Sequence, residues 1–547
     1  GAGDTTGAAN DAATVKTGTI TVDTDSLNVG GKLLGGNAET SNLSLTSKVT
    51  RLDGTKFGGF DFLKAEGTTS VIGGFTDANV GTSLTLNGKG TLIAPSIQLE
   101  TGKLTLADGT LQTMSAQAFK QGLGDAGEAA ATNGIATGLA LTGGTLALQD
   151  ASYNMKYVVD AEKVIADADG HTRLAMLGTL KSGNLVFGSQ GKGEDVGNAE
   201  EVPSTSVSLG KIDLVGGDTI MINSGQAITI RGDGEKLITS DSGDVKLLVG
   251  SKDNGAGTLN LGDAGLTSGG SLDGTLSIAD ESTVNVRAGM FSISTMEGTS
   301  SSAITIGTAQ NAGGLTVGKA SLNGANVFLD PAWKDGGNLV SDASIGVFES
   351  FANGAVDGRF AVGRNSLLVL GDKDSAWAQK AVQDALDNAD LTWGKDSVTA
   401  ALAIKSSQKL SATGALLVDG SLATAPSVTE NTATFAGQSL LVVNAAAADG
   451  EGALQGDGTS RLSVDGGAKL HIMDVKGSQE YTVTSGFVND KTEGWQGDDL
   501  IVSRLFNAAV NTDGGKFVVK TEAKRPDEFS QYAIPNILAA IASGNVN

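Results

Sequence analysis

In Gly274-Thr-Leu-Ser-Ile-Ala-Asp-Glu-Ser-Thr-Val-Asn-Val286, two short alternating runs flank an acidic turn. Leu276 and Ile278 alternate with polar residues in the first run, and Val284 and Val286 do the same in the second. Alternation with a period of two is typical of a β-strand that buries one of its faces. The stretch therefore predicts two short strands joined by a tight turn.

The same pattern recurs along most of the chain, about every 7 to 10 residues. Further alternating pairs are Leu84/Leu86, Leu104/Leu106, Leu139/Leu141, Leu146/Leu148, Phe291/Ile293, Ile304/Ile306 and Leu315/Val317. Glycine accounts for 79 of the 547 residues and proline for only 6, which suits many tight turns between short strands. These features predict an all-β fold.

Two all-β architectures fit this spacing, an antiparallel sandwich or barrel and a parallel β-helix. The strands are very short, two-residue hairpin turns are rare, and no aromatic or proline signature marks units of sandwich size. These features favour the parallel β-helix, a solenoid. With about 20 to 25 residues in each repeat, roughly 20 repeats would stack into a rod on the order of 100 Å long.

Short helical excursions interrupt the strand pattern. A helix is predicted at residues 375–389, because Trp377, Ala381 and Ala385 fall on one face with helical spacing. A weaker helix is predicted at residues 115–123, and a third at residues 534–542. We interpret the Trp377 stripe as packing against the flank of the solenoid.

Two regions are predicted from these patterns. Residues 1–409 form a β-helix stalk that includes the helices near 115–123 and 375–389. Residues 410–547 form a C-terminal β-helix region that ends near a linker. Concentrated apolar strands, such as Leu440-Leu-Val-Val443, mark this second region as a template on which further repeats can stack.

Composition excludes several classes of function. The formal net charge of −23 argues against nucleic-acid binding, which needs clustered lysine and arginine. Cysteine is absent, so an ordinary zinc site is not expected and no disulfide framework exists. The sequence contains no apolar run of about 18 residues, so no membrane-spanning helix is predicted. The first residues, Gly1-Ala2-Gly3-Asp4, are small and polar, as expected just after signal-peptide cleavage.

The overall sequence pattern of the chain resembles that of the passenger domains of bacterial autotransporters. Gly313-Gly314-Leu-Thr-Val-Gly-Lys-Ala-Ser-Leu-Asn-Gly324 and the stretch from Gly274 to Val286 carry the resemblance, which extends over nearly the whole chain. It implies a right-handed β-helix that is exported C-terminus first through an outer-membrane β-barrel translocator. It also implies a location at the bacterial cell surface or in the extracellular medium.

Serine-protease chemistry would depend on one of only two histidines, His171 and His471. Ser240-Asp241-Ser242-Gly243 has only a superficial likeness to a nucleophile turn, because no globular, aromatic-containing protease module surrounds it. We therefore predict no catalytic residues of this class.

Carbohydrate cleavage is the stronger enzymatic alternative, because polysaccharide-cleaving enzymes also use β-helices. Paired carboxylates are needed for that chemistry. Asn511-Thr512-Asp513 and Asp498-Asp499 supply such groups. They do not follow the order of a polygalacturonase-like site, in which Asn-Thr-Asp comes before Asp-Asp, and no Gly-His-Gly follows them. We interpret them as turn residues.

An acidic stretch could attract calcium, but it lacks the EF-hand register and the glycine-rich nonapeptide repeat. Its members are Asp160, Glu162, Asp167 and Asp169. We interpret it as a solvated loop and predict neither a metal site nor a cofactor.

Arg231-Gly232-Asp233 is the one short motif that suggests a partner. A cation and a carboxylate on a tight turn form the pair that integrin receptors read, and Ile228 and Ile230 place a strand just before it. The motif predicts a receptor-binding turn, with a purely structural turn as the alternative.

The sequence therefore predicts a non-catalytic adhesin that attaches to a host cell-surface or matrix protein or glycan. Such a rod would work by display, with many weak contacts multiplied by copy number. Two alternatives remain: a self-associating structural protein of filaments or biofilm, and a carbohydrate-active β-helix enzyme.

Overall fold

The fold is described from a computed structural model. It covers residues 18–22, 24–28, 31–35, 40–72, 74–94, 96–99, 101–113, 138–141, 145–155, 173–176, 179–182, 185–187, 205–214, 217–224, 226–232, 234–253, 255–262, 269–329, 342–388, 398–489, 494–513 and 515–528. The chain divides into two compact units. Unit 1 contains Gly1–Gly262 and Ser268–Thr275, and unit 2 contains Asp263–Thr267 and Leu276–Asn547. The boundary falls within one strand, β26 (Gly270–Ile278).

The strands of unit 1, numbered in chain order, pair in parallel columns. The first column contains β1 (Gly18–Val22), β4 (Ser41–Leu45), β7 (Phe62–Ala65), β10 (Ser83–Asn87), β13 (Lys103–Thr113), β15 (Thr145–Met155), β16 (Arg173–Met176), β19 (Thr205–Leu209), β22 (Gln226–Ile230) and β25 (Thr258–Leu261). The second contains β2 (Ser26–Asn28), β5 (Val49–Asp53), β8 (Thr68–Ile72), β11 (Thr91–Ala94), the second halves of β13 and β15, β17 (Thr179–Ser182), β20 (Lys211–Leu214) and β23 (Ile238–Ser240).

The remaining strands of unit 1 also pair in parallel, in three shorter sets. These sets are β3 (Leu33–Leu34) with β6 (Phe57–Gly58), then β9 (Phe75–Thr76), β12 (Ser96–Leu99) and β14 (Gly138–Leu141), then β18 (Leu185–Phe187), β21 (Thr219–Ile222) and β24 (Val245–Val249). A one-turn helix, α1 (Asp77–Val80), follows β9.

Unit 2 has the same organisation. Its first column contains β27 (Thr283–Val286), β29 (Ala303–Ile306), β31 (Asn326–Leu329), β33 (Arg359–Val362), β37 (Ala415–Val418), β38 (Thr432–Phe435), β41 (Arg461–Val464) and β44 (Val488–Asn489). Its second contains β28 (Gly289–Glu297), β30 (Gly313–Ser321), β32 (Ser344–Phe348), β34 (Ser366–Leu370), β35 (Ala400–Ile404), β39 (Ser439–Asn444), β42 (Lys469–Met473) and β45 (Leu500–Ile501).

The pairing register explains the core of unit 2. Val284 pairs with Ile304, Ile304 with Val327, and Val327 with Phe360, and all four side chains are buried. Each inward side chain thus lies on its counterpart in the next repeat, which keeps a thin core continuously apolar. The predicted all-β class is confirmed for the residues described, and the strands of each column pair in parallel.

Asparagine turns help to bring the chain back to the next strand. Asn323, Asn365 and Asn431 have φ values of 50°, 56° and 60°, and each lies just before a strand of unit 2. Asparagine is among the few non-glycine residues that tolerate this left-handed conformation. Asparagine at these turns therefore has a direct conformational role.

Helix α2 (Ser375–Asn388) covers β32, β34, β35 and β39 in the second column of unit 2. It matches the helix predicted at residues 375–389, and Trp377 packs against the apolar cluster beneath it. The helices predicted at 115–123 and 534–542 lie outside the described residues, as does the acidic stretch at 160–169.

A third set of strands in unit 2 ends in an antiparallel hairpin. This sheet has the order β36 (Gln408–Lys409), β40 (Leu454–Gln455), β43 (Glu480–Ser485), β47 (Lys516–Ala523) and β46 (Phe506–Asp513). The pairs β43–β47 and β46–β47 are antiparallel. Trp495 is 1 % exposed and packs between Phe435 and Phe517, with ring centroids at 5.2 Å from each. Short 3-10 helices at Gly497–Asp499 and Pro526–Glu528 complete this region.

Candidate functional site

The predicted receptor-binding turn follows a buried strand of unit 1. Ile228 and Ile230 are buried in β22, as the alternation predicted. Arg231 is half-buried, and Gly232 has a φ of 75°. Asp233 lies outside the described residues, so the relative placement of its carboxylate and the Arg231 guanidinium stays a prediction.

The backbone of this turn is held by two neighbouring segments. The amide of Gly232 donates to the carbonyl of Gly210 at 3.0 Å, and the amide of Gly234 donates to that of Gly269 at 2.8 Å. A Cβ atom on Gly232 would lie 2.3 Å from the carbonyl oxygen of Gly269. Only glycine fits at this position, for reasons of both φ and space. Main-chain contacts to neighbouring segments therefore hold Gly232 and Gly234, on either side of Asp233, in place.

Ser240-Asp241-Ser242-Gly243 forms a local turn. The Ser240 hydroxyl donates to the carbonyl of Gly217 at 2.6 Å, and the Ser242 hydroxyl donates to the Asp241 carboxylate at 3.0 Å. A nucleophilic serine needs a base that accepts its proton. Both hydroxyls are instead engaged in bonds that fix the turn.

His471 lies in β42 between the inward-facing Leu470 and Ile472, and it is 3 % exposed. Its Nδ1 atom donates to the carbonyl oxygen of Ile501 at 3.0 Å. Its Nε2 atom is buried and has no hydrogen-bond partner within the described part of the chain. Burial lowers the pKa of His471, while the hydrogen bond to Ile501 and the nearby carboxylate of Asp384 oppose this effect. This buried, neutral ring is a packing element under α2, and His171 lies outside the described residues.

The two carboxylate motifs near the C-terminus have structural partners. Asp499 pairs with Lys469 at 2.8 Å and accepts a hydrogen bond from the amide of Gln496 at 3.1 Å. Asn511-Thr512-Asp513 lies in β46, in register with β47. Over the ranges described, no group of three or more histidine, aspartate or glutamate side chains could hold a metal ion.

The outward faces of the strands form the other candidate surface. In β28 and β30 several outward side chains are small or flexible, among them Met290, Ser292, Ser294 and Thr316. Met290 is 55 % exposed and lies over Gly314 of the next strand, since a Cβ there would be 2.0 Å from the Met290 sulfur. We call these residues the β28–β30 face. Its outward side chains can contact a partner without a deep pocket.

Sequence reasoning predicted helix α2 but not which strands it covers, and it missed the antiparallel hairpin β46–β47. Helix α2 buries the outer faces of β32, β34, β35 and β39 in the second column of unit 2, and the hairpin β46–β47 ends the third set of strands. The signal for the first was present, because Ser366–Leu370 and Ala400–Ile404 are buried at every position. An uninterrupted apolar run indicates a strand covered on both faces.

Neither helix that the structure describes combines the length and the apolar character needed to cross a membrane. Comparison with known proteins identified no matching family model, curated protein or solved structure.

Proposed function

We propose that this chain is a right-handed parallel β-helix of the autotransporter passenger type, and that it acts as a non-catalytic adhesin at the bacterial surface. The observation that supports the fold is the pairing of each strand with its counterpart one repeat away, always in parallel within the columns. Parallel strands joined by such connections are right-handed in nearly all known cases.

The adhesive role follows from how such a fold presents side chains. Residues paired across strands lie about 4.8 Å apart, so polar side chains repeat along an outward face such as the β28–β30 face. Each contact of this kind is weak, but many copies on one surface multiply the binding. The partner would be a host cell-surface or matrix protein or glycan.

The test is a binding measurement with the whole chain. Fluorescent 547-residue protein, presented on beads at several densities, is incubated with epithelial cells and with immobilised matrix proteins. We expect saturable binding that rises steeply with bead density, because display multiplies weak contacts. Equal binding to uncoated plastic, or release of reducing sugar from host or plant polysaccharides, would contradict the adhesin proposal.

The receptor-binding turn permits a sharper version of this test. Asp233→Glu lengthens the carboxylate arm by one methylene and keeps its charge. If integrins read the turn, the variant loses adhesion to integrin-bearing cells by roughly tenfold, a free-energy change of about 1.4 kcal/mol. Asp253→Glu, in another exposed turn, is the matched control and should keep full adhesion. Unchanged adhesion of Asp233→Glu would assign Arg231-Gly232-Asp233 a structural role only.

A further inference from the structure

Strand β46 forms the edge of the five-stranded sheet in unit 2. It pairs with β47 from Phe506 to Asp513 without a break in register. An edge strand carries backbone groups that can pair with another chain. Proteins ordinarily protect such edges with charged residues, prolines or bulges. The segment from Phe506 to Thr512 has no charged residue and no proline, and its pairing with β47 has no bulge.

The phase of the pairing identifies which amides point outward. The amide of Lys524 donates to the carbonyl of Leu505 at 2.9 Å, and hydrogen-bonded positions alternate in an antiparallel pair. Odd-numbered residues of β46 therefore bond to β47. The amides and carbonyls of Ala508, Val510 and Thr512 point away from it, towards the edge that no strand of the described residues occupies.

Side chains of the same residues continue the core face of the sheet. Ala508 pairs with Thr521 and Val510 with Val519, and both residues of β47 are 0 % exposed. Ala508 and Val510 themselves are only half-buried. The apolar face of the sheet is therefore incompletely covered at its edge strand. A further strand along this edge would bury more of that face.

We infer that β46 is a dimerisation strand, which pairs antiparallel with β46 of a second copy across a two-fold axis at Val510. In this register Val510 lies opposite its own copy, and Ala508 lies opposite Thr512 of the other chain. All three outward amides on each copy then find a carbonyl. The partner is the same sequence, so the pairing is self-complementary, as a two-fold interface requires.

Other two-fold registers are less favourable. A shift of the axis to Ala508 would pair Phe506 with Val510 and leave Thr512 outside the pairing. The amide of Phe506 already donates to the carbonyl of Ser503 at 2.9 Å, so it cannot contribute equally. The register centred on Val510 is therefore the one that uses every open amide.

Electrostatics predicts how this dimer responds to salt. Each chain has a formal net charge of −23, so two copies repel each other at low ionic strength. The contacting segment is itself uncharged, and salt screens only the long-range repulsion. We expect the dimer to become stronger as salt is raised. This inference does not depend on the adhesive role, since it concerns only chain pairing.

Cysteine cross-linking of the whole 547-residue chain tests the register. The chain has no cysteine, so an introduced pair reports without background. Val510→Cys places two thiols on directly opposed residues about 5.5 Å apart at Cα, within the range of a disulfide. We expect a covalent dimer on mild oxidation. Ala509→Cys, on a more exposed side chain, is the control and should stay monomeric because residue 509 is displaced from its symmetry mate.

A second pair of measurements separates pairing from folding. Ala508→Cys combined with Thr512→Cys should also give a covalent dimer, and each single variant should not. By sedimentation, Val510→Lys should raise the dimer dissociation constant by roughly tenfold or more, with unchanged circular dichroism. A chain that stays monomeric at high salt, or that cross-links equally through residues 509 and 510, would overturn the inference.

Discussion

The Asp457 carboxylate holds its turn through four hydrogen bonds. It accepts from the backbone amides of Thr459 and Ser460, both at 2.8 Å, and from their hydroxyls at 2.7 and 2.8 Å. Asp53 and Asp419 use the same geometry, each accepting from the amide and hydroxyl two residues later. The sequence predicted many tight turns between short strands. It did not assign the carboxylate its role as an acceptor, because that role needs the folded backbone.

Replacement of Asp457 should change both stability and its pH dependence. The hydrogen bonds, first that from the Thr459 hydroxyl, lower the pKa of Asp457 to about 2. The carboxylate therefore stabilises the fold above its unfolded pKa of about 3.9 and loses this effect as the pH falls through about 2. Asp457→Asn should cost about 1 kcal/mol at pH 7, measured by urea unfolding, and should flatten the profile between these pH values. Asp465→Asn, at an exposed turn residue, should do neither.

His471 should make unit 2 sensitive to mild acid. Its pKa is lowered by burial, so the unfolded chain binds a proton more readily than the folded one. Stability is then complete above the ordinary pKa of about 6.5 and falls as the pH drops below it. His471→Leu should keep the melting temperature more nearly constant from pH 7 to pH 5. Met473→Leu, at a half-buried residue of the same strand, should keep the parent's acid sensitivity, and an equally acid-sensitive His471→Leu would contradict the assignment.

Helix α2 and the strands beneath it form a second apolar layer in unit 2. Side chains from both elements share one buried cluster: Ile345, Val347, Leu367, Val369, Ala378, Ala381, Val382, Ala385, Ala401, Ala403, Leu440 and Val442. Helical spacing predicted the helix, because its apolar stripe is a local pattern. Its docking site could not be predicted from the stripe alone. Some of the strands that the helix covers lie far from it in the sequence. The alternation of apolar and polar residues is also lost where both faces of a strand are buried.

A charge placed under α2 should detach it. Ala381 is 0 % exposed, so Ala381→Glu buries a carboxylate without a partner and should destabilise unit 2 by about 2 to 5 kcal/mol. Increased fluorescence of a hydrophobic dye should accompany the loss, because the strand face is uncovered. Ala376→Glu, at an exposed position in the first turn, is the matched control and should be neutral or slightly stabilising. An equal loss in both variants would show that helix propensity, not docking, is the cause.

At the scale of the whole molecule, sequence patterns predicted the fold class better than the boundaries between regions of the chain. Strand length and turn chemistry are local, so the all-β class and short parallel strands followed from alternating pairs such as Val284/Val286. The predicted boundary between residues 409 and 410 stays a prediction, and the two compact units of the structure divide between Gly262 and Leu276. Residues Phe506–Asp513 alternate like any other strand, so nothing local indicated that β46 and β47 would pair antiparallel.

In-register parallel stacking is the central claim on which the proposed β-helix and the proposed display function both depend, and paired cysteines test it most directly. The double variants Ser44→Cys with Lys64→Cys, Asn285→Cys with Thr305→Cys, and Ser292→Cys with Thr316→Cys join Cα partners on adjacent parallel strands. Such partners lie about 4.8 Å apart, within disulfide reach. We predict an intramolecular disulfide in each, and none when Thr283→Cys replaces Asn285→Cys opposite Thr305→Cys. A disulfide in the shifted pair, or none in the matched pairs, would contradict the account.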